Sequence, residues 1–223
     1  MPDWVLVSGG SGGIGAAICD LLAEVGYRPL VGYRSNAETA AKIAGRSGGA
    51  ALPLDLSDPA SIASAMDIVV ERHLPLAGVV LAASPPPKVA RMSAYDPAEL
   101  SDQLTANVVG PFQLVAGLVR RALSAQRRGF VAAVLSEAMG GEPGGGARGM
   151  SPYITAKFGL LGLVTAARLD YPWLRVHTER PYFTRTAMLD AIDPRMVEMG
   201  TGRPIEEPRD VAGRIVHWIQ SAA

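Results

Sequence analysis

Apolar and polar positions divide the chain into two alternating kinds of segment. Short, almost uniformly apolar runs occur at 4–8 (WVLVS), 29–33 (PLVGY), 50–55 (AALPLD), 78–83 (GVVLAA), 130–136 (FVAAVLS) and 174–180 (LRVHTER). Runs such as VVLAA and FVAAVL do not alternate polar with apolar residues, which is the pattern of strands buried on both faces of a parallel sheet. Between them lie longer segments with helical spacing of apolar residues, at about 13–25, 36–46, 58–73, 97–127 and 152–170. Asp58-Pro59 reads as the start of the third of these, because aspartate caps and proline tolerates the first turn. The segment 208–221 opens with proline and carries Val211, Ile215, Trp218 and Ile219 at helical intervals, predicting a final helix. Strand–helix alternation along the whole chain predicts a doubly wound α/β sheet with helices on both faces.

Composition narrows the picture. The 223 residues, 48% of them hydrophobic, suit one domain spanning 1–223. A formal net charge of zero gives no pull toward nucleic acid or an anionic membrane. No apolar run approaches the roughly 20 residues of a spanning helix, and the N-terminus lacks a signal-peptide pattern. The single cysteine, Cys19, has no internal disulfide partner and reads as a buried apolar residue. A cytoplasmic location is therefore expected. His73, His177 and His217 are too scattered to suggest a metal site. The stretches SPPP at 84–87 and GGEPGGGARG at 140–149 read as loops, since proline removes backbone donors and glycine tracts do not hold a helix.

Two motifs carry chemistry. The first, VLVSGGSGGIGAAICDLL, is a strand, a glycine-rich turn and a helix. Glycines there let the backbone approach a bound group, and a helix start presents free N–H groups to a phosphate. The second is Tyr153-x-x-x-Lys157, in a chain with only three lysines. Residues four apart share one helix face, so an ammonium can sit beside the phenol and lower its pKa from about 10.

Gly9-x-x-x-Gly13-x-Gly15 together with Tyr153-x-x-x-Lys157 resembles the short-chain dehydrogenase/reductase family, in its short single-domain form. Ser8 stands where the family has threonine. The resemblance covers nearly the whole chain and is strongest to the 3-oxoacyl-(acyl-carrier-protein) reductases. It implies a Rossmann fold with strand order 3-2-1-4-5-6. It also implies that NADPH reduces a ketone, with Tyr153 as proton donor, Lys157 as its tuner and ribose ligand, Ser136 as carbonyl anchor and Asn107 as holder of a relay water. Family cofactor contacts fall on Gly9, Ser11, Gly13, Ile14, Gly15, Asp55, Leu56, Ala82, Lys157, Pro181, Phe183 and Thr186. For the ribose, an acidic residue about 20 positions past the glycines usually grips NAD. Here the second strand ends Tyr33-Arg34-Ser35, so Arg34 and Ser35 predict NADP(H) instead. Asp55 matches the family's adenine-contacting aspartate; a turn or N-cap role is the alternative.

The chain departs from the family in three places. The interval from Ser136 to Tyr153 is 17 residues where the family has 13, with the excess assigned to the loop at 140–149. Tyr182 replaces a glycine after Pro181. The fourth strand ends in Ala82-Ala83-Ser84 instead of N-N-A-G, a loss bearing on rigidity more than chemistry. No family-type seventh strand follows 208–221, so strand six is expected at an edge covered by that helix. Apolar residues Phe112, Leu114, Leu118, Phe158, Leu161 and Leu163 on the two long helices predict a homodimer through them, in preference to a tetramer. The arginines of RRALSAQRR (120–128) suggest an acidic carrier protein as a possible partner, with a solvated helix end as the alternative. Substrate specificity is expected from the loops at 84–96, 137–150 and 182–203. Reductases of other small ketones, and a catalytically idle NADP-binding sensor or partner subunit, are the competing functional readings.

Overall fold

In a computed structural model, residues 3–141, 146–189 and 202–221 are described. Six parallel strands form one sheet: β1 (Trp4–Ser8), β2 (Arg28–Tyr33), β3 (Ala50–Pro53), β4 (Leu76–Leu81), β5 (Gly129–Val134) and β6 (Leu174–Glu179). Their order is β3-β2-β1-β4-β5-β6, as predicted. β1 and β5 are buried at every position, which is why their sequences lack polar alternation.

Helices α1 (Gly13–Glu24) and α2 (Ala37–Arg46) pack on one face, together with the last helix, α7 (Pro208–Gln220). Ile18, Leu22, Val211, Ile215 and Ile219 there meet Val5, Val7, Val31, Phe130 and Ala132 of the sheet. The other face takes α3 (Pro59–Arg72), α4 (Pro97–Leu104), α5 (Gly110–Leu118) and α6 (Ser151–Asp170). Local signals start these helices. Asp58 caps α3 by accepting from Ala60 N–H at 2.9 Å, with Pro59 in the first turn. Asp96 and Glu99 form a reciprocal capping box on α4.

The segment 97–127 departs from one uniform helix. α4 and α5 are joined by a wide turn, Thr105–Val109, in which the Gly110 N–H bonds Thr105 O five residues back. Pro111 explains it: the ring lacks an N–H and would crowd the carbonyl four residues earlier, so the turn widens. A second wide turn, Val119–Leu123, follows, and the chain leaves the helix before Arg127, whose φ is +44°.

The C-terminal helix lies on the sheet face beside α1 and extends to the edge strand. It covers one face of β6: Trp218 stacks on His177 at 4.8 Å, Arg175 donates to Trp218 O at 2.9 Å, and Arg214 Nε donates to Glu179 Oε1 at 2.7 Å. Among the described residues, no helix is long and apolar enough to cross a membrane.

Candidate active site

The C-terminal ends of the strands open into one cavity of about 1120 Å³. That exceeds the usual 300–1,000 Å³ of a drug-sized ligand site. It sits where β1 and β4 diverge to opposite sides of the sheet, the place where open α/β sheets bind ligands.

Its floor is the turn after β1. Gly9 has φ +68°, and a Cβ there would lie 2.7 Å from the Ala83 backbone. A Cβ on Gly15 would come within 2.1 Å of Gly9 O, and one on Gly13 within 2.5 Å of the Thr186 side chain. Such distances admit no side chain, so each glycine is needed for the turn to close and for α1 to begin against it. The cradle offers backbone N–H groups at a helix start without obstruction, which fits a phosphate-bearing cofactor. Ser11 and Ile14 line it as well.

Arg34 and Ser35 stand exposed on one rim, and Arg34 makes no ion pair among the described residues. Asp55 and Leu56 line the same side. Asp55 Oδ1 accepts from Ser57 N–H at 2.8 Å, so this aspartate shapes its own turn while also facing the cavity.

Ser136, Tyr153 and Lys157 meet at the other end. Ser136 follows β5 and caps a short 3-10 turn, Glu137–Met139, its Oγ accepting from Ala138 N–H at 3.1 Å. Between Ser136 and Tyr153, Ala147 N–H donates to Ala138 O at 3.0 Å. Residues 142–145 lie outside the described residues.

Lys157 sits in the interior, beside the tyrosine that it was expected to tune. It is 2% exposed, and its Nζ donates to Val134 O at 3.0 Å. Burial lowers its pKa from 10.5 to about 7. Its Nζ lies 5.4 Å from the centre of the Tyr153 ring. Yet the phenol's pKa is raised, because burial opposes the phenolate more than hydrogen bonding with Ser136 favours it. In this state Tyr153 is an acid that keeps its proton at neutral pH.

Asn107 sits in the wide turn, fully buried, and does not itself line the cavity. Its Nδ2 donates to Gln103 O and Gln103 Oε1, both at 3.0 Å, while Oδ1 has no hydrogen-bond partner among the described residues. Gly159 lets α6 close on this turn, since a Cβ there would lie 2.7 Å from Val108. Ala82, Pro181, Phe183 and Thr186 also line the cavity.

Residues 3–196 match the family described as short chain dehydrogenase. The chain belongs to that family. Over 222 residues it is 28% identical to the acetoacetyl-CoA reductase of Rhizobium meliloti (strain 1021), covering 95% of this chain and 88% of that one. Its fold superposes on the 3-ketoacyl-(acyl-carrier-protein) reductase of Brucella melitensis complexed with NADH. The TM-score is 0.89 at 18% identity, with 99% of this chain and 92% of that chain covered. A short chain dehydrogenase from Burkholderia cenocepacia J2315 in complex with NADP gives 0.86 at 24%, covering 97% and 90%. Short-chain dehydrogenases are oxidoreductases that use a nicotinamide cofactor, and the glycine cradle and long cavity of this member fit such a group.

Sequence reasoning missed several contacts that build this short-chain dehydrogenase site. Ser8 Oγ accepts from Ala82 N–H at 3.2 Å and Ala83 N–H at 3.3 Å, tying β1 to the end of β4 where the usual asparagines are replaced. Arg203 pairs with Glu137 through two contacts of 2.7 and 3.1 Å and lies 4.1 Å over the Tyr182 ring. Glu206 accepts from Tyr182 N–H at 3.0 Å. These partners lie 21 to 75 residues apart in the chain, so no local pattern reveals them.

Proposed function

We propose that the chain is an NADPH-dependent ketoreductase that converts a 3-oxoacyl thioester to its secondary alcohol. The observation that carries this reading is the convergence of Ser136, Tyr153 and Lys157 at one end of a cavity whose other parts are the glycine turn and Arg34. When bound, the reduced nicotinamide supplies a hydride to the carbonyl carbon. The chain does the rest. Gly9, Ser11, Gly13, Ile14 and Gly15 cradle the phosphates, and Arg34 with Ser35 take the 2′-phosphate. Asp55, Leu56 and Ala82 hold the adenosine half, and Pro181, Phe183 and Thr186 the nicotinamide half. The Ser136 hydroxyl donates to the carbonyl oxygen and fixes its position. Tyr153 gives its proton to that oxygen as the carbon accepts hydride, leaving an alcohol and a phenolate. Lys157 binds the ribose hydroxyls and returns a proton through a water held by Asn107, whose buried Oδ1 is the acceptor available for it.

The reading extends to a cytoplasmic homodimer that takes its substrate from a coenzyme or an acyl carrier protein. For the thioester, the support is the two relatives whose names carry one.

The test is NADPH absorbance followed against a panel of ketones and 3-oxoacyl thioesters. Oxidation is expected with the thioesters, and its loss in Tyr153→Phe with NADPH affinity kept. NADPH should bind at least about tenfold tighter than NADH, about 1.4 kcal/mol, and Arg34→Ala should erase the difference. Equal affinities for the two cofactors would overturn the NADPH assignment. Tight NADPH binding without turnover on any carbonyl would favour a non-catalytic binding protein.

A further inference from the structure

The segment 181–186 is the wall that joins the two ends of the cavity. At the reacting end, Glu137 N–H donates to Pro181 O at 2.9 Å. At the other, Thr186 lies against Gly13, its Cγ2 2.5 Å from where a Cβ would stand. The segment belongs to no strand of the sheet, so its backbone conformation has to be imposed from outside.

Glu206 imposes it. Its carboxylate Oε2 accepts from Tyr182 N–H at 3.0 Å, its own N–H donates to Phe183 O at 2.9 Å, and its carbonyl accepts from Arg185 N–H at 2.9 Å. Thr184 pairs with Glu206 as an isolated parallel bridge and is itself buried. The carboxylate is held in turn. Arg214 of α7 contacts Glu206 Oε1 at 3.0 Å and Oε2 at 3.2 Å, and its Nε donates to Glu179 Oε1 of β6 at 2.7 Å. A continuous path therefore runs from the edge strand through Arg214 and Glu206 to the backbone of the cavity wall. A charged carboxylate on a backbone N–H is among the stronger hydrogen bonds, and here a guanidinium fork fixes its orientation.

We infer that Glu206 is a positioning residue that holds 181–186 in the form that receives the nicotinamide half of the cofactor, with Arg214 and Glu179 holding Glu206. This rests on the functional reading above. The adenosine half is bound by other elements, the glycine turn and the ends of β2 and β3, so the two halves should respond differently to the loss of Glu206.

The experiment is calorimetric titration of the full chain with NADPH and with 2′-phospho-ADP-ribose, which is the same molecule without nicotinamide. In Glu206→Ala, NADPH should weaken about tenfold, while the fragment changes by less than about twofold. Glu206→Gln should recover to within about threefold of wild type, since its amide oxygen can still accept from Tyr182 N–H. Glu206→Asp guards against a fold defect: it keeps the charge beside Arg214 but draws the carboxylate back by one methylene, and NADPH alone should weaken. Equal weakening of both ligands, or no change in either, overturns the inference while leaving the function standing. A wild-type chain that binds NADPH no better than the fragment, or binds neither, overturns the functional reading and the role of Glu206 with it.

Discussion

Among the described residues, Lys157 has one carbonyl, Val134 O, for an ammonium that carries three N–H donors, and it sits in an interior that disfavours charge. Burial brings its pKa from 10.5 to about 7. Between those values the unfolded chain holds one more proton than the folded chain, so stability rises with pH across that window and is lowest below pH 7. Lys157→Met keeps the length and removes the titration. Urea unfolding of the unliganded protein between pH 7 and 9 should show wild type gaining on Lys157→Met by about 1 kcal/mol per pH unit. A difference that stays flat would mean that the lysine keeps its proton in the folded state. Tyr153 titrates in the opposite sense: burial holds its proton on, which suits a donor more than a base at neutral pH.

At the scale of elements, the wide turn Thr105–Val109 serves two purposes. It absorbs Pro111, and it places the buried amide of Asn107 where a regular turn would point it elsewhere. The turn is pressed onto the Leu56 side of the cavity through Gly110, where a Cβ would fall 1.9 Å from Leu56 O. Because the obstructing atom is backbone, a methyl group cannot be accommodated by a rotamer change. Gly110→Ala should cost about 2 kcal/mol of stability by overpacking, read as a lower urea midpoint. It should also weaken NADPH, because Leu56 lines the cavity. Unchanged stability would mean that α5 moves freely against this loop.

At the scale of the molecule, the apolar load on the long helices is smaller than the sequence suggested. Leu114 and Leu118 are fully buried in the core, and Leu161 and Leu163 are partly buried against it. Helical spacing alone does not say which side of a helix meets the sheet when both sides carry leucine. Leu100 and Leu169 are exposed near the ends of these segments, and Val109, Phe112 and Phe158 stay outside nearer their middle, at 59%, 64% and 48% exposure. Light scattering should report a dimer, and Phe112→Glu with Phe158→Glu should raise its dissociation constant at least about a hundredfold without altering the circular dichroism. A dimer indifferent to both substitutions would move the interface elsewhere.

Much of this protein was decided by short-range pattern. Uniform apolar runs set the strands, and Asp58-Pro59 and Asp96 mark helix starts by local capping. The glycine spacing and the Tyr153–Lys157 pair are contiguous motifs, legible because backbone clearance and helix periodicity act within a few residues. Cavity-lining positions such as Arg34, Asp55 and Thr186 could be placed because they follow strands whose order the family resemblance implied. The tertiary structure decided what depends on distant partners. Ser8 reaches residues 74 and 75 positions away, and Glu206 pins a segment 24 positions back. Burial of Lys157 decides its charge, and packing around α5 decides which leucines are spare. Hydrogen-bond partners, desolvation and the choice of helix face are properties of the assembled chain, and no window of sequence contains them.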